Sequence, residues 1–179
     1  MIEVEIKAKI NNLNKIKEKL KNLNIEQLKI EYQKDIYFKS PIVNFAKTDE
    51  ALRLRKTKSN NEENIYLTYK GSKIDSESKT REEIEISIED IEKASEILKK
   101  IGFTPSAIVK KNREYYKYQD YTLSLDFVEG LSPYIEIEYI LNDKSNYESV
   151  QKEIFELFKE LGIEDGFERD SYLELLEKK

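Results

Sequence analysis

Polar and apolar residues alternate strictly where the chain opens. Across Ile2-Glu3-Val4-Glu5-Ile6-Lys7-Ala8 a period of two predicts a β-strand, with Glu3, Glu5 and Lys7 on one face and Val4, Ile6 and Ala8 on the other. The arrangement returns at Ala51-Leu52-Arg53-Leu54-Arg55, at Ile65 to Lys70 ahead of Gly71, and at Arg81 to Ile86, where Arg81, Glu83 and Glu85 oppose Ile84 and Ile86. Further along, Ile108 to Tyr118 sets Lys111 and Arg113 two apart, Thr122 to Val128 holds Asp126 among apolar neighbours, and Tyr134 to Tyr139 repeats the paired acids as Glu136 and Glu138. A mixed stretch from Ile25 to Phe38 is closed by Pro41, which cannot continue a ladder.

Helical spacing takes over in three places. Leu13, Ile16, Leu20 and Leu23 follow a cap at Asn11 or Asn12; Ile91, Ala94, Ile97, Leu98 and Ile101 form a stripe between Asp90 and Gly102; a third helix runs from about Tyr147 to Leu161 and stops at Gly162. Ser171 caps a last short helix, Tyr172 to Leu176, expected to cover the core, and Arg169 before it is expected to be structural. The polar run from Ser72 to Lys79 reads as a mobile loop. The outline is an α+β fold of about eight antiparallel strands with helices inserted. No Pro/Gly/Ser-rich linker interrupts it, so residues 1–179 read as a single domain.

Composition removes whole classes of chemistry. The chain has no cysteine and no histidine, which excludes thiolate nucleophiles, disulfides, zinc ribbons, imidazole bases and every His-ligated metal. A metal, if used, must be held by oxygen, which selects Mg²⁺, Mn²⁺ or Ca²⁺. Net charge is −5, so a general nucleic-acid footprint is not expected and any anion site must be local. No apolar run reaches the length of a membrane span and the chain starts directly in a strand, so a cytoplasmic location is expected.

The charged strand faces leave two architectures open, an open sheet with a wet charged side and a closed barrel with a charged lumen. Two carboxylates on one strand face lie about 7 Å apart, a spacing that suits either the wet side of an open sheet or a divalent cation shared with phosphate oxygens. Arginine separates the readings. Only five of the 31 basic residues are arginine, and Arg53, Arg55, Arg81 and Arg113 all fall on charged strand faces. A chain that otherwise uses lysine keeps the rigid guanidinium fork where phosphate or carboxylate must be gripped. Rolled into a barrel, the sheet would bury its apolar side under helices and turn both acids and bases into a wet lumen, where a polyanion and its metal would make the charges sensible. The five glycines form no Walker or dinucleotide-binding pattern that would compete.

In this order the residues resemble the CYTH family, the triphosphate tunnel metalloenzymes. Its ExExK signature stands as Glu3-Val4-Glu5-Ile6-Lys7, reinforced by Asp35-Ile36-Tyr37-Phe38, Leu52-Arg53-Leu54-Arg55, Leu67-Thr68-Tyr69-Lys70-Gly71, Arg81-Glu82-Glu83-Ile84-Glu85, Lys111-Asn112-Arg113, Leu125-Asp126 and Ile135-Glu136-Ile137-Glu138. The likeness is greatest to the branch of class IV adenylyl cyclases and thiamine triphosphatases. It implies an eight-stranded antiparallel β-barrel forming a triphosphate tunnel, with Mg²⁺ or Mn²⁺ as cofactor.

Carried over, the resemblance makes Glu3, Glu5, Asp126, Glu136 and Glu138 metal-site acids. It places Lys7, Arg53, Arg55, Lys70, Arg81, Lys111 and Arg113 along the phosphate path. Lys7 is expected at the reacting phosphate, and Glu83 and Glu85 to fix the bases or assist a proton transfer. The implied reaction is ATP to cyclic AMP and pyrophosphate; the alternatives are hydrolysis of tripolyphosphate or thiamine triphosphate, and a non-catalytic triphosphate-binding module. The implied partners are a nucleoside, inorganic or organic triphosphate and a second copy in a homodimer, with neither nucleic acid nor membrane. Lys39 and Ser40 stand where the family usually has an acid and a threonine, so the entrance loop is expected to differ. Tyr37, Tyr66 and Tyr69 are expected to pack or gate.

Overall fold

The computed structural model describes residues 2–60, 62–143 and 145–179. Eight antiparallel strands close into a barrel in the order β1-β5-β4-β3-β2-β6-β7-β8, which is the tunnel architecture the family resemblance implied. The strands are β1 (Ile2–Lys9), β2 (Gln27–Lys39), β3 (Ala51–Ser59), β4 (Glu62–Lys70), β5 (Arg81–Ile88), β6 (Thr104–Tyr118), β7 (Tyr121–Val128) and β8 (Tyr134–Leu141). The helices are α1 (Leu13–Asn22), α2 (Phe45–Thr48), α3 (Ile91–Lys100), α4 (Tyr147–Glu160) and α5 (Tyr172–Glu177). The mixed stretch after Ile25 is therefore a long strand, and it pairs with β3 on one side and β6 on the other.

Register transmits the charge pattern from strand to strand, because residues directly opposite in an antiparallel pair share a face. Glu5 faces Glu138 and Lys7 faces Glu136 across β1 and β8; Asp35 faces Arg55 across β2 and β3; Arg113 faces Asp126 across β6 and β7. All of these side chains turn into the lumen. A slip of one residue would exchange the lumen set for the outer apolar set.

The outer face is covered unevenly. Val4, Ile6, Leu123, Leu125, Ile135 and Ile137 pack beneath Ile16 and Leu20 of α1 and Ile154, Leu157 and Phe158 of α4. Each such fully buried aliphatic or aromatic side chain contributes about 1.5–3 kcal/mol. α3 covers Leu54 with Ile91 and Leu98. Its expected stripe is wider than the one it uses, since Ile97 and Ile101 are exposed. The outer residues Ile84 and Ile86 of β5 are exposed as well, whereas Ile88 at the end of that strand packs with the α3 cluster. Gly102 ends α3 with φ +98, and a side chain there would also meet the ring of Pro41 at 3.1 Å.

Two parts of the chain differ from their sequence-based expectation in ways that shape the lumen. The Ser72–Lys79 run is anchored: Ile74 donates to the Thr80 carbonyl, Lys79 to the Glu5 carbonyl, and the Arg169 guanidinium to the carbonyls of Asp75 and Ser78. Arg169 is thus the structural residue it was expected to be. α5 covers core residues as expected, but those at one end of the barrel, packing on Tyr37, Val109, Val128 and Tyr134. Among the described residues no helix is long and apolar enough to cross a membrane.

Candidate active site

The lumen is a cavity of about 510 Å³ whose lining includes Glu3, Glu5, Arg53, Arg55, Lys70, Arg81, Lys111, Arg113, Glu136 and Glu138. Lys7 and Asp126, fully buried beside it, are joined to that lining by contacts described below. The strand pattern alone thus brought together acids and bases separated by up to 135 positions in the sequence.

The bases are concentrated where β2, β3, β6 and β7 meet. Asp35 accepts two parallel hydrogen bonds from Arg55, at 2.7 Å each, and lies 3.7 Å from Arg53. Against the cost of burial, those two guanidiniums hold its carboxyl well below the usual range. Asp126 is enclosed in the same way: Arg113 donates to it at 2.6 Å through Nε, and Lys111 at 2.9 Å. Burial opposes ionisation there too, and the Arg113 and Lys111 charges win. Arg113 also reaches Glu136. Burial, with the neighbouring Arg113 charge, brings the Lys111 ammonium down to about 8.

Around β4 and β5 the acids serve the bases. Thr68 donates to Glu85 at 2.7 Å and accepts from Arg53 at 3.1 Å, while Glu83 accepts from Lys70. Arg81, beside Glu3 on the ladder, bends toward the Gly71 carbonyl at 3.2 Å. Of the three tyrosines, Tyr37 is buried in the lining, Tyr69 donates to Glu50, and Tyr66 is half-buried.

The β1–β8 side is different in character. Burial, followed by the nearby charges of other acids, lifts Glu3 to about 7 and Glu138 to about 8, and burial with the Glu136 charge raises Glu5. Glu136 moves the other way, held well below its usual value against burial by Lys79 and Arg113. Lys7, buried and beside Lys79, is brought down to about 7. One oxygen of Glu3 is buried without a hydrogen-bond partner. Of these three carboxyls Glu5 is paired with Lys79 and Glu3 lies 3.5 Å from Lys70, while Glu138 has no ion pair among the described residues.

Two lumen residues escaped the sequence reading. Lys79 pairs with Glu5 and, at 3.1 Å, with Glu136, yet it comes from a polar run with no strand periodicity, so no pattern marked it. Asp35 was visible in its motif, but its role as the bidentate partner of Arg55 depends on the β2–β3 register.

A closed antiparallel tunnel with a basic wall and an acidic wall defines a class of proteins built to enclose polyanions. The chain belongs to the CYTH domain family, which matches residues 1–172. A protein of Methanocaldococcus jannaschii, named "Putative adenylate cyclase MJ0240", is 47% identical over 176 residues, covering 98% of each chain. The solved structure of the PH1819 protein from Pyrococcus horikoshii superposes with a TM-score of 0.92 at 43% identity, covering 99% of both chains. The same fold, at 22% identity and a TM-score of 0.70 with 98% of this chain and 95% of the other covered, occurs in HpAC1 from Hippeastrum, described as a "putative adenylyl cyclase" with a dominant triphosphatase activity.

Proposed function

We propose that the protein is a divalent-metal-dependent enzyme that binds a triphosphate along the tunnel and converts ATP to cyclic AMP and pyrophosphate in the manner of a class IV adenylyl cyclase. The observation that carries this reading is the division of the lumen. Arg53, Arg55, Lys70, Arg81, Lys111 and Arg113 provide the fixed positive surface that spread phosphate charge requires. Glu3, Glu5 and Glu138 provide oxygen donors, Glu5 paired with Lys79, Glu3 3.5 Å from Lys70, and Glu138 in no ion pair among the described residues. Membership of the CYTH family, whose tunnel enzymes depend on metal, and the name of the M. jannaschii relative support the same reading.

The donor set fits Mg²⁺ or Mn²⁺. Among the described residues no three acids converge as a ready-made cage, and Mg²⁺ commonly binds through one or two carboxylates completed by substrate phosphate oxygens. The Glu3 oxygen that has no hydrogen bond, though Lys70 lies 3.5 Å from it, and the raised Glu3, Glu5 and Glu138 carboxyls are the groups that would hold it. When bound, the metal would neutralise charge developing on the phosphates. Asp126 is assigned here to a different task from the one the resemblance implied: with both oxygens engaged by Lys111 and Arg113 it aims those bases, and Glu136 joins it through Arg113 and Lys79.

In the proposed reaction the ribose 3′-hydroxyl gives up its proton to water while its oxygen forms a bond to the α-phosphorus as the bond to the bridging oxygen breaks, and pyrophosphate leaves with the displaced electron pair. The basic side chains bind that pyrophosphate and stabilise its charge. Lys7 sits where it can orient the attacking oxygen, and Glu83 and Glu85 hold Lys70 and Arg53 in place. Hydrolysis of an inorganic or organic triphosphate is the second reading. What favours it is the chemistry of the lining, since the charged groups from Glu3 to Arg113 address phosphate or metal and none of them requires a nucleobase.

Product analysis tests both. Purified protein is incubated with Mg²⁺ or Mn²⁺ and, separately, ATP, thiamine triphosphate and inorganic triphosphate. Cyclic AMP with pyrophosphate is the expected outcome. Orthophosphate, fastest from inorganic triphosphate, would establish the hydrolase, and tight binding without turnover would leave a binding module.

A further inference from the structure

Tyr172, the first residue of α5, is 7% exposed and lines the lumen at the end that α5 crosses. Three ammonium groups converge on its ring: Lys7 at 4.2 Å from the centroid, Lys111 at 4.9 Å and Lys79 at 5.9 Å. Its edge packs on Tyr134, with centroids 5.5 Å apart. An aromatic face attracts cations, and gathering three of them on one ring concentrates positive charge at a single depth of the tunnel. Two have acids of their own, Lys111 with Asp126 and Lys79 with Glu5 and Glu136. Lys7 has no carboxylate partner among the described residues; its ammonium donates to the Asp170 carbonyl and lies over the rings of Tyr172 and Tyr134.

The Tyr172 hydroxyl is buried and has no hydrogen-bond partner among the described residues. A buried phenol normally finds one, because leaving a desolvated donor unpaired is costly. Asp126 is the acid that bears most on this hydroxyl, but it already accepts three hydrogen bonds from Arg113 and Lys111, leaving it little capacity for a fourth. A donor without an acceptor beside an ammonium without a carboxylate is an arrangement completed by an anion.

We propose that Tyr172 is a phosphate-binding residue: its hydroxyl donates to a phosphoryl oxygen of the bound triphosphate, and its ring holds Lys7, Lys79 and Lys111 around that same group. This rests on the triphosphate reading of the tunnel. It gives the C-terminal helix a direct part in binding, through a side chain that lies outside every charged motif of the strands. It also sets one end of the phosphate chain against α5.

The test is calorimetric titration with inorganic triphosphate and Mg²⁺, together with the tyrosine ultraviolet difference spectrum produced by the ligand. The chain has twelve tyrosines and no tryptophan, so a signal from one phenol can be isolated by subtraction. Tyr172→Phe, which keeps the ring, is expected to bind about tenfold more weakly, equivalent to about 1.4 kcal/mol, and to lose the component of the difference spectrum due to this phenol. Tyr172→Leu, which removes ring and hydroxyl, is expected to bind more weakly still. Unchanged affinity and spectrum in Tyr172→Phe would overturn the hydroxyl contact, even if Tyr172→Leu were impaired. Wild-type protein that binds no triphosphate would overturn this proposal and the triphosphate reading together, whereas wild-type binding with an indifferent Tyr172→Phe would overturn this proposal alone.

Discussion

Asp126 and Glu138 are both lumen carboxyls on neighbouring strands, and the tunnel treats them in opposite ways. Asp126 is locked between Lys111 and Arg113, which keep it ionised despite complete burial. Glu138 is also desolvated, but its most influential neighbour is the acid Glu3, and its carboxyl is raised to about 8. The difference teaches that a buried charge is not one kind of object. On the basic wall the protein has supplied its own counter-ions, so each acid is part of the framework. On the β1–β8 wall Lys79 is shared between Glu5 and Glu136, and Glu138 has no ion pair among the described residues, so the proposed cation would complete what the protein leaves short.

The largest effect expected from breaking this contrast is on stability. Asp126→Ala leaves Lys111 and Arg113 sharing a buried site without their main counter-ion, and the loss should be about 3–5 kcal/mol, visible as a strongly lowered thermal midpoint. Glu138→Gln should change stability by less than about 1 kcal/mol, because it replaces a carboxyl whose charge the fold does not favour. Equal destabilisation by the two would erase the distinction between the walls.

Next comes function. Glu5→Gln should abolish metal-dependent turnover while circular dichroism still shows the wild-type fold, with a lowered melting point because Lys79 loses one of its two acids; full turnover at saturating Mg²⁺ would remove Glu5 from the metal site. Arg55→Lys gives up the two-pronged bond to Asp35. One lost charge-assisted hydrogen bond of about 1.5–3 kcal/mol should raise the Michaelis constant for the triphosphate about tenfold or more, and an unaltered constant would count against the fork.

The smallest expected effect is an acid pH dependence carried by the carboxyls that are paired with bases. Asp35 is held below its unfolded value by Arg55 and Arg53, so its stabilising contribution is present above the unfolded carboxylate value of about 3.9 and is lost as pH falls through the folded one. Asp126 and Glu136 act in the same direction. Stability of the wild type should therefore fall steeply below about pH 4, and Asp35→Asn should flatten that limb. Melting curves across acid pH would check it, and an identical limb in the variant would show that Asp35 contributes nothing there.

Much of this was legible in the sequence because a strand is periodic. Glu3, Glu5 and Lys7, Arg53 and Arg55, Lys111 and Arg113, and Glu136 and Glu138 each sit two apart, so each set had to share a face once the strand formed. The scarcity of arginine marked the basic positions. Lys79 carried no such mark, since a residue in an irregular segment has no period from which its direction can be read. Tyr172 was legible only as the start of a capped helix; that the helix would lie across the barrel end depends on packing against Tyr37, Val109 and Val128, which come from three other strands. The exposure on the outer face of β5 has the same origin. Ile84 and Ile86 alternate as buried residues do, and their exposure follows from where the helices happen to land.

The amino-acid sequence by itself determined the strands, their two chemically distinct faces, and the exclusion of thiol and imidazole chemistry, because these depend on residue type and short-range spacing. Only the tertiary structure decided which acids meet bases and which meet acids. That outcome is set by inter-strand register and barrel closure, where a shift of one residue would re-pair every lumen charge while leaving the local pattern untouched.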